Sequence, residues 1–370
     1  MMGSGLLYAL ATTRVFYRIG LDFQKAKILV NRHLSQIVPV GIVAIGRNEG
    51  KRFQQCLSAL PKDLPTVYVD SGSTDDSVAH ALAAGVQVVH LSRDLGFTAA
   101  RARNMGWRAL REKHPDLKFI QFLDGDCALD PNWLSSAFAE TESKMRLGAV
   151  FGRLKERFPE HSIYNAMCDR EWDVPVGEVR TCGGNALIRV DALLQTGGYN
   201  DGLIAGEEPD LCLRMRAMGW AIYRIPPKMA THDAAILNFG SWWKRSRRAG
   251  HAYAEHVAVH GRFSDPDWRR DVVRMTVWGI LLPVIFTLGA ILGLLSNPLW
   301  GSISLGVGLL YALQIGRISH REAASGLSDK VAFQESVLLM LAKFAQVAGA
   351  TSFLLNRLFG RRPAIIEYKS

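Results

Sequence analysis

Phe119-Ile120-Gln121-Phe122-Leu123-Asp124-Gly125-Asp126 is an apolar run that stops abruptly at two carboxylates separated by one glycine. The run suits a buried strand, and its ending delivers a small acidic cluster to the edge of a sheet, where a hard divalent cation finds oxygen ligands. Asp-Gly is also common in solvent-exposed turns, so the surrounding chain has to decide between site and turn.

Upstream, strand-like and helix-like segments alternate. Val40–Ile45 ends in Gly46-Arg47-Asn48-Glu49-Gly50, and a helix follows to Leu60. Pro65–Val69 ends in Asp70-Ser71-Gly72-Ser73-Thr74, where Ser73 or Thr74 can cap a helix with Asp75 and Asp76 in its first turn. Val86–Leu91 is a third strand, and Phe97–Glu112 is a basic helix carrying Arg101, Arg103 and Arg108. This alternation predicts a mostly parallel α/β sheet with helices on both faces, and in such sheets ligands sit beyond the carboxyl ends of the strands. Arg47–Glu49, Asp70–Thr74 and Asp124–Asp126 all fall at those ends, so one pocket is predicted to collect them. Asp70 favours the site reading, because a second carboxylate in one crevice is costly without a partner.

The middle of the chain is less regular. Cys182-Gly183-Gly184-Asn185 is a glycine-hinged loop entering a strand, and Gly206-Glu207-Glu208-Pro209-Asp210 leads into a helix through Leu211–Met218, ended by Gly219. Trp220–Ile225 reads as a strand stopped by Pro226-Pro227. His232 follows, either a metal ligand or a structural histidine. Trp133, Trp172 and Asp173 are divided between an acceptor pocket and ordinary packing, whereas Arg101 reads as part of a solvated helix face.

No charged residue lies between Arg274 and Arg317, and Ser296-Asn297-Pro298 breaks that stretch. Met275–Leu295 and Leu299–Gly316 are each long enough for a membrane span of about 20 residues. Arg269, Arg270 and Arg274 precede the pair and Arg317, His320 and Arg321 follow it, so the positive-inside rule places the large domain in the cytoplasm, at the inner membrane of a bacterium. A last apolar helix, Val331–Phe359, carries Glu335, Lys343 and Arg357 and is expected to lie at the interface rather than form a third span. Residues 1–37 form a separate segment, read as an amphipathic helix without a signal-peptide n-region. The organisation is thus 1–37, a domain over 38–262 and a membrane-associated region over 263–370.

The 370 residues are 48% hydrophobic and 21% charged, as in a folded protein, with 44 basic against 34 acidic side chains. The excess concentrates after residue 240 beside the membrane helices, which points to anionic lipid and a phosphorylated ligand rather than nucleic acid. Five cysteines without CxxC spacing suggest neither a zinc site nor a disulfide framework.

In order, Val43–Glu49, Val69–Asp75, Ala100–Gly106, Leu123–Asp126 and Gly206–Arg214 resemble the motifs of the family-2 glycosyltransferases of GT-A type, over roughly Val40–Gly250. The resemblance implies a Rossmann-like fold, a nucleotide-sugar donor, usually a UDP-sugar, a divalent Mn²⁺ or Mg²⁺, and inverting transfer. It places Arg47, Glu49, Asp70, Arg103, Asp124 and Arg248 at the nucleotide sugar and Asp126, with His232, at the metal. Gly184, Asn185 and Trp243 fall on the acceptor side. The acidic pair, usually Glu-Asp in the family, is Glu207-Glu208 here. Glu208 is expected to be the general base, with Glu207 the competing candidate. Trp242–Arg248 resembles the family's basic-aromatic segment and equally suits membrane anchoring. The implied acceptor is lipid-linked or a growing polysaccharide, with membrane lipid and other polysaccharide-assembly proteins as partners. The alternative is a catalytically silent nucleotide-sugar-binding subunit that scaffolds such an assembly.

Overall fold

The computed structural model describes residues 39–93 and 96–360, so the segment 1–37 lies outside the described residues. Val40–Gly46 (β1), Thr66–Asp70 (β2), Gln87–His90 (β3) and Phe119–Asp124 (β4) pair in parallel. The apolar side chains of β1, β2 and β4 are buried, as strands covered on both faces require, while Val88 and Val89 of the edge strand β3 are only half-buried. Between them run Gly50–Ala59 (α1), Ser77–Ala83 (α2) and Ala99–Lys113 (α3). Thr98 caps α3 by accepting the Arg101 N–H at 3.1 Å.

Beyond β4 the sheet becomes mixed. Cys127–Leu129 (β5), Leu147–Glu156 (β6), Gly177–Glu178 (β7), Ala186–Arg189 (β8) and Ala221–His232 (β9) complete a nine-stranded sheet of order β3-β2-β1-β4-β8-β6-β9-β5, with β7 on β9. The β8 strand runs antiparallel to both β4 and β6, while β6 and β9 are parallel. Trp133–Ser143 (α4), Ile163–Glu171 (α5), Val190–Thr196 (α6) and Glu207–Ala217 (α7) pack around this half.

The double proline does not end a strand, contrary to expectation. β9 continues through Pro226 and Pro227 because the β6–β9 register shifts on either side of Arg153, and a bulge tolerates residues that lack an N–H. The extra length carries the chain to His232, opposite Cys127 on one side and Glu156 on the other.

Phe239–His260 (α8) and Pro266–Thr276 (α9) lead to the apolar helices Leu282–Leu295 (α10), Gly301–Ala324 (α11) and Asp329–Leu358 (α12). Among the described residues, three helical stretches, Pro266–Leu295, Pro298–Ala324 and Asp329–Leu358, are long and apolar enough to cross a membrane. A π-helical turn, Val277–Leu281, joins α9 to α10 just before Pro283. In a π turn the Trp278 carbonyl would need the N–H of residue 283, which proline lacks; the Tyr311 hydroxyl of α11 donates to it instead.

Candidate active site

The carboxyl ends of β1, β2 and β4 lie side by side, with Gly46 paired to Asp70 and Ile45 to Asp124. Asp70 is 2% exposed, and its carboxylate accepts the N–H of Gly72 at 3.0 Å and of Ser73 at 3.1 Å, folding its own loop. Asn48, in the left-handed region at φ 54°, ties that loop to the first one: its amide oxygen accepts the Thr74 N–H at 2.7 Å and its own N–H donates to the Ser73 hydroxyl at 3.0 Å. Arg47 reaches over the Phe97 ring, and Glu49 pairs with Arg52 at 3.2 Å.

Arg103 organises the next layer. Its guanidinium is 2% exposed and lies 2.9 Å from Asp124, 2.7 Å from Glu207 and 3.1 Å from Glu208. It is therefore a junction for three carboxylates, and its charge is spent on them rather than held open toward a nucleotide. Burial, then the charge of Glu207, pushes the Glu208 carboxyl up to about 7, against the opposing pull of Arg103. A carboxylate that exchanges its proton near neutral pH is suited to general-base work.

Asn185 braces Asp124 from both sides, its amide oxygen accepting the Asp124 N–H at 2.8 Å and its amide nitrogen donating to Oδ2 at 3.3 Å. Gly184 roofs the cluster. A Cβ there would overlap Nη2 of Arg103 and stand 3.0 Å from both Asp124 Oδ2 and Glu208 Oε1.

Asp126 turns the other way. Its Oδ2 is 3.2 Å from Nε2 of His232, and both residues are buried. Asp126, Cys127 and His232 place one donor atom each within 4.8 Å of one another. Cys127 is poorly matched to a hard cation, because a soft thiolate suits zinc, copper or iron, whereas Mg²⁺ and Mn²⁺ prefer oxygen ligands. The remaining oxygen and nitrogen fit a shared ion: bonds of about 2.0–2.1 Å at right angles leave adjacent ligand atoms about 3 Å apart. Glu156, 1% exposed, stands 3.7 Å from Nδ1 of His232, within reach of charge attraction but beyond a hydrogen bond, and is itself held by accepting the Ala234 N–H at 3.0 Å. Trp172 packs edge-on against the same ring at 4.6 Å.

The structure brings Arg103, Asp124, Asn185, Gly184, Glu207 and Glu208 into one cluster, and Asp126 and His232 into a second that joins it through Gly125. Trp243 packs in a different place, with Phe239 and the α5–α8 contact, and Arg248 is half-buried on α8. Trp133 is fully buried and donates to Gln121 at 2.7 Å, so it is core. Asp173 pairs with Arg224 at 2.8 Å. Arg101 is not on a solvated face: it is 8% exposed and donates to the carbonyls of Gly96 and Ser92, shaping the loop before α3. Glu156 escaped the sequence reading because it sits in the charged run Arg153–Arg157, which resembles solvated surface.

Residues 42–194 match the family model for Glycosyl transferase family 2, and this part of the chain is a family-2 glycosyltransferase domain. No curated protein matches the chain. Among solved structures, the mannosyltransferase PcManGT from Pyrobaculum calidifontis, in complex with GDP-Man and Mn²⁺, is 16% identical with a TM-score of 0.53, covering 86% of this chain and 88% of its own. At that identity the likeness speaks to the fold, which is of GT-A type. S. aureus TarS 1-349 is 14% identical with a TM-score of 0.43, covering 88% of this chain and 92% of its own. Glucosyl-3-phosphoglycerate synthase from Mycobacterium tuberculosis, with Mn²⁺, UDP and glucosyl-3-phosphoglycerate, is 16% identical with a TM-score of 0.44, covering 65% and 84%.

Proposed function

We propose that the chain is a membrane-anchored, metal-dependent glycosyltransferase that transfers a sugar from a nucleotide sugar, with inversion, to a lipid-linked or polysaccharide acceptor at the cytoplasmic face of the inner membrane. The observation that carries this reading is the position of Glu208. It is a carboxylate titrating near neutrality, held by Arg103 beside the Asp124–Asp126 strand end, on a domain of the glycosyltransferase family.

Inverting transfer needs a base that takes the proton of the acceptor hydroxyl as that oxygen attacks the anomeric carbon and the diphosphate leaves. Glu208 takes that proton. Arg103 holds Glu208 and Glu207 in place and offsets their mutual repulsion. Asp126 and His232 would hold the divalent cation, which when bound neutralises charge on the departing diphosphate. Asp124 faces the donor side, braced by Asn185. The loops built by Asp70 and Asn48 form the wall on which a nucleoside would rest.

The relative with GDP-Man and the family's usual preference for uracil make the nucleotide an experimental question. Purified full-length protein is assayed with UDP- and GDP-sugars and Mn²⁺ or Mg²⁺, with membrane lipid extract as acceptor. Transfer that disappears with EDTA and with Asp126→Ala supports the proposal; transfer indifferent to both removes the cation from the mechanism.

A further inference from the structure

We propose that, among the described helices, only two segments cross the bilayer, α10 together with the π turn before it and α11, and that α12 returns along the catalytic domain, with its outer face resting in the lipid leaflet on that same side. Length and composition do not separate the three helices, but burial does. Of the most apolar 18 residues of each, 44% are buried within the protein in α12, against 6% and 11% in the two stretches before it.

α12 is buried chiefly by α8, and also packs on α11 and on the π turn, where a Cβ on Gly279 would land on the Lys343 carbonyl. Leu338 and Ala342 share one apolar cluster with Trp242, Ile236 and Cys168. Further along, a Cβ on Gly250 would land on the backbone of Gln346, and one on Gly349 on the carbonyl of Arg247, so the two helix backbones touch. Arg247 donates to the Ser352 hydroxyl at 2.8 Å, and the His251 ring meets Phe353 edge-on at 5.3 Å. These contacts extend from Leu338 to Phe353, about 22 Å of helix at 1.5 Å per residue.

Over the same length α8 carries Lys244, Arg245, Arg247 and Arg248. A crossing α12 would draw them into the hydrocarbon layer, where each basic residue at the centre costs about 2.5–3.5 kcal/mol. The start of α12 is anchored as well. Glu335, 4% exposed, pairs with Arg170 of α5, and α5 is fixed to the sheet by Asp169, which accepts the Glu156 N–H at 2.7 Å. Phe333, Leu354, Leu355 and Leu358 remain exposed on α12. An apolar outer face on a helix whose inner face is held by a soluble domain fits the boundary of one leaflet.

This placement does not depend on which sugar is transferred, or on whether any is. The test uses the full-length chain in sealed membrane vesicles of known orientation. The reporters are a protease-cleavable tag after Ser370, and the single substitutions Lys113→Cys, Asn297→Cys and Ser325→Cys, labelled with a membrane-impermeant maleimide. All five native thiols are buried, which keeps background low. The expected result is that Lys113→Cys, Ser325→Cys and the tag are reached from one side, and Asn297→Cys from the other. A tag cleaved only from the Asn297 side makes α12 a third span and overturns the proposal. All reporters on one side overturns the crossing of α10 and α11. The tag readout uses the unsubstituted sequence, so it stands even where a cysteine variant misfolds.

Discussion

Nη1 of Arg103 lies 2.7 Å from Oε1 of Glu207, joining α3 of the parallel half of the sheet to the first turn of α7, 104 residues later. The same guanidinium holds Glu208 and Asp124. A single buried cation thus fixes the relative positions of Asp124 and the acidic pair.

Removing that cation leaves three carboxylates to repel one another in a buried site. Arg103→Ala is expected to lower stability by about 3–5 kcal/mol, the range for breaking a buried ion pair from one side. Denaturant titration of the detergent-solubilised protein measures it. Arg103→Lys is expected to recover only part of the loss, since an ammonium lacks the planar fork that reaches Asp124 and the glutamates together. Wild-type stability in Arg103→Ala would show that the carboxylates are not charged as described.

The Glu208 carboxyl, pushed up to about 7 by burial and by Glu207, sets a pH limb. As the proposed base it has to be deprotonated, so kcat/KM is expected to rise about tenfold per pH unit below 7 and to level off above it. Stability runs the opposite way. Glu208, and Glu255, which burial also raises to about 7, bind a proton more tightly in the folded than in the unfolded chain. Their contribution is full below the unfolded value near 4.5 and is lost as pH climbs through 7. The melting temperature is therefore expected to fall between pH 5 and pH 8, less steeply in Glu255→Gln; an unchanged slope in that variant contradicts the role given to Glu255.

Glu156 faces the proposed cation site only across the His232 ring, 3.7 Å from Nδ1. Glu156→Gln is expected to weaken Mn²⁺ activation by about 10–100-fold, the usual cost of losing an outer-shell carboxylate, while kcat at saturating Mn²⁺ changes little. Metal titration of activity separates the two. Loss of kcat at saturating metal would mean that Glu156 acts elsewhere.

Gly184→Ala would drive a methyl into Nη2 of Arg103. Displacement of the junction is expected to lower turnover by about 10²-fold, as for a 1 Å misplacement, with a small change in melting temperature. Wild-type turnover would show that the roof yields without moving Arg103.

The parallel strands and the carboxylates at their ends were legible because the pattern is local: apolar runs stop at Asp70 and Asp124, and pairing sets those ends side by side. Roles that depend on distant partners were not. Nothing near Arg103 in the chain announces Glu207, and nothing near Asp70 says that its oxygens fold their own loop. The two prolines suggested a strand end, but they sit among the extra residues of a bulge in β9, which only its pairing with the distant β6 reveals. Likewise the fully buried Trp133 and the buried Arg101 look, in sequence, like any aromatic and any helical arginine.

In the proposed mechanism Glu208 takes the acceptor proton while Glu207 and Arg103 hold it in position. The most direct test measures nucleotide-sugar affinity and turnover together in Glu208→Gln and Glu207→Gln. The expected result is that Glu208→Gln binds donor as the wild type does and turns over about 10²–10⁴-fold more slowly, the usual contribution of a general base. Near-wild-type turnover in Glu208→Gln, with the defect appearing in Glu207→Gln instead, would contradict it.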